Sequence, residues 1–362
     1  MRRRHLLAAV AAVTAWALSA GVAQAAVINV HPGQSIQHAV NMAHAGDVVK
    51  LAPGTYFQNV TIQKNGITLM GSGSGPMGTR LVSGGREVPS TCSMPTVSGI
   101  CVVGKLDATG NPVAPTRRTT VRDLSVHGWS GFGVLLFFAN QTKVHNVVAA
   151  RNAEYGISGF VLHGVTFTHN AAIRNGDPGF YIGDSPNAQA VVAWNRASGN
   201  GASGADGIGF LFRDASWGKV WGNTANGNCT GFMFIDTGSP GLASHWWAAH
   251  NTANRNNLAC AGEAEGPPPL SGIGITLFGA RHTTLWDNTT NGNHPTGPSV
   301  FSGGIVVASS VPAGGHTPAN NLIKENHAQN NSPFDIMYDG TGFNNQFVDN
   351  DCGTSTPAFI CS

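Results

Sequence analysis

Six pairs of asparagines recur along this sequence with five positions between the members of each pair: Asn170 and Asn175, Asn195 and Asn200, Asn223 and Asn228, Asn251 and Asn256, Asn288 and Asn293, Asn326 and Asn331. Successive pairs lie 25 to 38 residues apart. A fixed spacing within pairs and a variable one between them describes a coil with an invariant turn and loops of changing length. Propeller blades would need a steadier ~40–45 residues. Asparagine tolerates left-handed turn geometry, and its amide can bond both backbone and the asparagine one coil away, so the pairs predict two turn ladders. Asn228 and Asn288 also fit glycosylation sequons, which their ladder positions make incidental.

Between the pairs, glycine-led apolar strands repeat. Three copies end in aspartate: Gly179-Phe180-Tyr181-Ile182-Gly183-Asp184, Gly209-Phe210-Leu211-Phe212-Arg213-Asp214 and Gly231-Phe232-Met233-Phe234-Ile235-Asp236. Alternate strand residues share a face. The first positions after glycine (Val134, Ile157, Phe180, Phe210, Phe232, Ile275, Ile305) and the third (Leu136, Gly159, Ile182, Phe212, Phe234, Leu277, Val307) are apolar but for one glycine, so they are the predicted core rows. The intervening rows, with Tyr181, Leu211, Met233 and Thr276, then Phe137, Phe160, Arg213, Ile235 and Phe278, face outward and are apolar for a solvated surface. Two readings stay open: a binding groove, or a face covered by loops 260–270, 294–301 and 310–319.

The chain opens with Arg2, Arg3 and Arg4, an apolar run, and the small-residue site Ala23-Gln24-Ala25, which reads as an export signal over residues 1–25. No later segment is long and apolar enough to span a membrane. Removing the signal takes away three positive charges and turns the formal net charge of +2 into −1. Such a charge-poor chain argues against nucleic acid as a partner. Six cysteines in an exported protein suggest disulfides. Fifteen pairings are possible; sequence proximity favours Cys92 with Cys101, Cys229 with Cys260, and Cys352 with Cys361.

Near the start, Ser35 is a helix N-cap, and Ile36, Ala39, Val40 and Ala43 form one apolar helical face, ended by Gly46. This helix lies in the run Pro32-Gly33-Gln34-Ser35-Ile36-Gln37, followed by Ala45-Gly46-Asp47-Val48-Val49, Ala52-Pro53-Gly54-Thr55-Tyr56 and Gly66-Ile67-Thr68-Leu69. That pattern resembles the opening of right-handed parallel β-helix proteins of the pectate-lyase-like superfamily. The resemblance implies an all-β solenoid whose short N-terminal helix caps the first coil, and a superfamily that includes polysaccharide lyases, uronan epimerases, hydrolases, tailspikes and non-catalytic surface proteins. Residues 26–71 are then the cap and first coils, 72–118 a disulfide-stapled insertion carrying few strands, 119–350 the main coils, and 351–362 a stapled C-terminal cap.

Stacked coils would put Asp184, Asp214 and Asp236 in one column about 4.8 Å apart. Two such carboxylates repel by roughly 3 kcal/mol at an effective dielectric near 20, so a partly buried column needs a cation, a shared proton or several donors. One reading is Ca²⁺ held by the three aspartates, with Asp177 and Asp206 as further ligands. In enzymes of this resemblance such a cation neutralises a substrate uronate, with Arg213 or Tyr181 as base; otherwise Arg213 binds the uronate carboxylate and Tyr181 transfers the proton. Asp214 belongs to both sets. The other reading is structural, each carboxylate accepting backbone N–H bonds in a turn. Trp221 and Trp286 point outward and, with Met233 and Phe160, are the candidates for contact with sugar rings; packing beneath a loop is the alternative. The expected activity is β-elimination or C5 epimerisation of an acidic polysaccharide, followed by non-catalytic carbohydrate binding and then hydrolysis by paired aspartates.

Overall fold

Stacking of the coils is set by the repeated glycines. In a computed structural model, which describes residues 25–86, 92, 96–201, 206–239, 242–262 and 267–361, a Cβ on Gly209 would lie 2.6 Å from the carbonyl oxygen of Gly231, and one on Gly231 2.5 Å from that of Gly274. Only a residue without a side chain lets adjacent coils approach here. The export signal expected over 1–25 lies outside the described residues except for Ala25.

From that close stacking follows a parallel β-helix. Thirty-one strands join into one network in which every named strand pair is parallel, and two small two-stranded sheets stand apart. The register matches the predicted core rows: Phe180 pairs with Phe210, Phe210 with Phe232, Phe232 with Ile275 and Ile275 with Ile305. Phe180, Phe210 and Phe232 stack face to face with centroids 4.7 and 4.6 Å apart, and Phe212 stacks on Phe234 at 4.7 Å. Each is almost wholly buried, which stabilises the fold by roughly 1.5–3 kcal/mol per side chain.

Both asparagine ladders form. In one, the side-chain amide of Asn170 donates to Asn195, and the chain of bonds continues through Asn223, Asn251, Asn288 and Asn326 to Asn350, each step 2.9–3.0 Å. The second runs from Asn152 through Asn175, Asn200, Asn228, Asn256, Asn293 and Asn331, and ends on the carboxylate of Asp335. Each internal amide also donates to a backbone carbonyl, as Asn228 does to Ala197 at 3.3 Å. Asn228 and Asn288 are fully buried, so neither sequon is open to a glycan.

At the N-terminus the helix Ile36–Met42 covers the first coil, its Ser35 cap accepting the His38 N–H at 3.1 Å. It ends at Ala43, whose backbone is already extended, three residues before Gly46. Residues 72–118 depart further from expectation. Strands Thr79–Arg86 and Ile100–Val103 are parts of regular coils, with Leu81, Ile100 and Val102 fully buried; only Lys105–Leu106 and Pro112–Ala114 form a projecting hairpin. The glycine- and proline-rich intervals between them interrupt the periodicity that marks later coils. All three disulfides pair as sequence proximity favoured. Near the C-terminus, the Cys352–Cys361 staple holds Ile360 against the end of the core. Among the described residues no helix is long and apolar enough to cross a membrane.

Candidate functional site

The outward rows of the glycine-led strands are the floor of a cleft of about 520 Å³. Leu211 and Met233 form its apolar base, flanked by Tyr181 and Arg213, and loops supply the walls: Pro267, Pro268 and Leu270 on one side, Phe301 and Ala313 on another. The loops cover part of this face and leave a hollow between them. Beneath the cleft lies a second apolar cluster, separate from the main core, that includes Tyr181, Leu211, Met233, Phe278 and Val306. The disulfide Cys229–Cys260 ties the 260–270 loop to the coil, and reciprocal backbone bonds between Cys260 and Leu270, 2.9 and 3.0 Å, close its base.

Charge enters at one end. Asp177, Asp206 and Arg213 line the cleft together with Tyr155 and Tyr181, whose rings stack in parallel with centroids 5.1 Å apart. Burial pushes the Tyr155 phenol well above its ordinary pKa; the charges of Asp206 and Asp177 add to this, and Arg213 opposes it. Tyr181 is raised for the same leading reason, with Asp184 contributing and Arg213 again opposing. Both shifts favour the protonated phenol.

The aspartate column exists in the backbone. Gly183 pairs with Arg213 and Ser185 with Ala215, which sets Asp184 beside Asp214; Arg213 pairs with Ile235, and Asp236 follows. The side chains serve other ends. Asp214 is fully buried and accepts the Thr237 N–H at 2.7 Å and the Thr237 hydroxyl at 2.5 Å, with the Arg213 Nε 3.4 Å from the same oxygen as the hydroxyl. Asp236, also fully buried, accepts the Gly238 N–H at 2.8 Å and meets His316 Nδ1 at 3.0 Å. Asp184 stays at the surface, its carboxyl raised chiefly by loss of solvent, with Arg213 opposing and Asp214 reinforcing the shift.

Four of the six oxygens are thus already engaged, whereas Ca²⁺ takes six to eight oxygen ligands. Nor do any three His, Cys, Asp or Glu side chains among the described residues converge to hold a metal ion. The column does not fit the calcium reading of Asp184, Asp214 and Asp236: Asp236 accepts a bond within its own turn, from Gly238, and Asp214 is taken up by Thr237 of the next coil. Asp214 does not line the cleft; its carboxylate lies 3.4 Å from the Nε of Arg213, which does.

Of the other candidates, Met233, Tyr181 and Arg213 come together in the cleft, and Phe160 packs on Tyr181 at 4.7 Å from just outside the lining. Trp221 and Trp286 do not join them. They end strands of a different row, Trp221 pairing with Ala249 and Ala249 with Trp286, and point outward from another face. Tyr155 was missed: it sits just before the repeat glycine Gly156, outside the strand pattern. The wall residues were placed by loops that obey no periodicity.

Residues 39–258 match the family described as right handed beta helix region. The chain belongs to that family. No curated protein sequence matches it. Among solved structures, the A-module of a mannuronan C-5 epimerase from Azotobacter vinelandii aligns with a TM-score of 0.57 at 18% identity, over 87% of this chain and 90% of that one. A DFA-IIIase from Arthrobacter chlorophenolicus gives 0.52 at 13%, over 84% of each chain. An alginate lyase from a Paenibacillus species gives 0.50 at 15%, over 92% and 96%. At such identities the likeness shows the shared fold, and function rests on the residues of the cleft.

Proposed function

We propose that this protein is an exported enzyme that acts on an acidic polysaccharide in the cleft above Leu211 and Met233, by β-elimination or C5 epimerisation. The observation that carries the reading is the convergence of one guanidinium, Arg213, with a protonated phenol, Tyr181, and two carboxylates, Asp177 and Asp206, in an apolar hollow. Among the described residues Arg213 is the only cation of the lining, and it is half exposed, which suits it to pair with a uronate carboxylate through two N–H donors. That pairing drains charge from the carboxylate and makes the adjacent C5 proton more acidic. The carboxylate of Asp206 or Asp177 is the base the cleft offers. In elimination, loss of the C5 proton forms the C4–C5 double bond as the C4–oxygen bond breaks, and the Tyr181 hydroxyl protonates the departing oxygen. In epimerisation, Tyr181 returns a proton to C5 from the opposite face instead. Support comes also from the fold shared with an epimerase module and an alginate lyase.

A second reading rests on Asp177 and Asp206 themselves. They lie on neighbouring coils of one cleft, an arrangement in which paired carboxylates hydrolyse glycosidic bonds. Incubation with alginate, pectate and glycosaminoglycans separates the possibilities. Elimination produces an ultraviolet-absorbing unsaturated end, epimerisation changes the polymer's NMR spectrum without cleavage, and hydrolysis gives reducing ends without absorbance. No change in any polymer would overturn the enzymatic reading in favour of carbohydrate binding alone.

A further inference from the structure

Four of the eight tryptophans in the sequence, Trp194, Trp221, Trp247 and Trp286, lie along one outer face, and none of them lines the cleft. Trp221, Trp247 and Trp286 project from the strand row whose inward partners, such as Val220, Ala248 and Leu285, are buried in the core, and Trp217 stands apart at the preceding corner, stacked on His245 at 4.0 Å. Trp194 stands at the adjoining turn. Trp194 and Trp217 are 53% and 51% exposed, an unusual cost in water for the largest aromatic side chain. Their rings are not isolated. Trp194 meets Trp221 edge-on at 5.5 Å, Trp221 lies 6.5 Å from Trp247, and Trp247 lies 6.1 Å from Trp286, so the rings form a continuous strip running from coil to coil.

The strip's charge is equally one-sided over its middle coils. Lys219 is the register neighbour of Trp247, Arg196 is two residues beyond Trp194, and Lys143 stands on the row of Lys219 two coils before Trp194, extending the cationic side past the first ring. All three are exposed, and none takes part in an ion pair among the described residues. Towards the C-terminal coils the sign changes: Glu325 accepts the Trp286 indole N–H at 2.7 Å, and Asp287 sits beside it on the turn. The cationic, aromatic stretch therefore has a defined end.

We infer that this face is a second, non-catalytic binding strip for an anionic polysaccharide chain. The indole rings stack on the C–H faces of successive sugars, and Lys143, Lys219 and Arg196 pair with their carboxylates or sulfates. Flat rings combined with unpaired cations suit this ligand better than a neutral glucan, which would leave the cations without partners, or a protein segment, which would need a deeper apolar groove. The ligand class rests on the proposed function, but the location does not. The strip explains how a cleft whose described charged residues are two carboxylates and one guanidinium can retain an anionic polymer: the chain is held elsewhere on the rod.

Native gel electrophoresis of the mature chain, in gels with and without alginate and with dextran as the neutral control, tests this. Retardation by alginate and not by dextran is expected, with the affinity for alginate falling at least tenfold in a Trp194→Ala/Trp221→Ala variant. Trp194→Phe, which keeps a ring, should restore most of it, and Lys219→Gln should weaken retention at low salt but not at high salt. Circular dichroism and melting temperature check that each variant is folded. Turnover of a short oligouronate should be unchanged by the tryptophan substitutions, whereas Arg213→Ala should stop turnover and leave retardation intact. Wild-type retardation of the folded double variant, or equal retardation by dextran, would overturn the strip. Tryptophan-dependent retardation without turnover of any polymer would uphold the strip and remove the enzymatic reading.

Discussion

Replacing Asn228 by alanine tests whether the ladders hold the coils together or merely decorate the turns. Its Oδ1 accepts both the backbone N–H and the side-chain amide of Asn200, each at 3.0 Å; its Nδ2 donates to Asn256 at 3.0 Å and to the Ala197 carbonyl at 3.3 Å. Alanine removes all four bonds at a site with no exposure. The Asn200 side-chain amide keeps its bond to Ala172, and Asn256 still accepts the backbone N–H of residue 228, so two groups lose most: the Asn200 N–H and the Ala197 carbonyl. The Asn200 N–H left without a partner costs roughly 1–3 kcal/mol, and the bond lost at Ala197, which lies in a paired strand, adds about 0.5–1.5 kcal/mol, giving about 1.5–4.5 kcal/mol in total. That is a large part of a typical stability of about 5–15 kcal/mol. The urea midpoint and the melting temperature should both fall, the latter by roughly 2–6 °C for a chain of this length. Asn228→Asp should be no better. It restores the acceptor but sets a carboxylate oxygen against the Asn256 Oδ1, whereas the natural ladder admits a carboxylate only at its end, where Asp335 accepts from Asn331. A loss below about 1 kcal/mol for Asn228→Ala would refute the claim that this ladder contributes to stability through its side chains.

Four further outcomes are expected. Gly209→Ala, whose Cβ would lie 2.6 Å from the Gly231 oxygen and 2.9 Å from the Ala225 Cβ, should destabilise by about 1–3 kcal/mol or prevent folding; soluble expression with an unchanged melting temperature would contradict the stacking argument. Asp214→Asn should raise KM for the polymer more than it lowers kcat, because Asp214 acts by holding Arg213; unchanged kinetics would remove it from the site. The phenols of Tyr155 and Tyr181 have pKa values raised in the fold, so the stability tied to their protonation is complete below the ordinary tyrosine value near 10 and is lost as pH rises beyond it. Alkaline melting curves should show that loss, diminished in a Tyr155→Phe/Tyr181→Phe variant. Chelator and millimolar calcium should leave the melting temperature unaltered, since the Asp214 and Asp236 oxygens are already engaged; a calcium-dependent rise would show that the column binds the ion after all.

What the sequence by itself determined is the part governed by local repetition. Glycine spacing, alternating apolar residues and asparagines at constant offset each state a condition that successive coils share, and identical conditions one coil apart specify a stacked rod with its core rows, both ladders and the outward position of Tyr181, Met233 and Arg213. The tertiary structure decided everything that depends on where non-repeating segments return. Loops 260–270 and 294–301 turn an apolar face into a cleft, Thr237 and His316 take up the carboxylates of Asp214 and Asp236, and tryptophans from four coils converge on one face remote from that cleft. A periodic pattern fixes the direction in which a side chain points. Its partner is fixed by contacts between residues distant in the chain, and those follow from loop conformations that no short-range rule encodes.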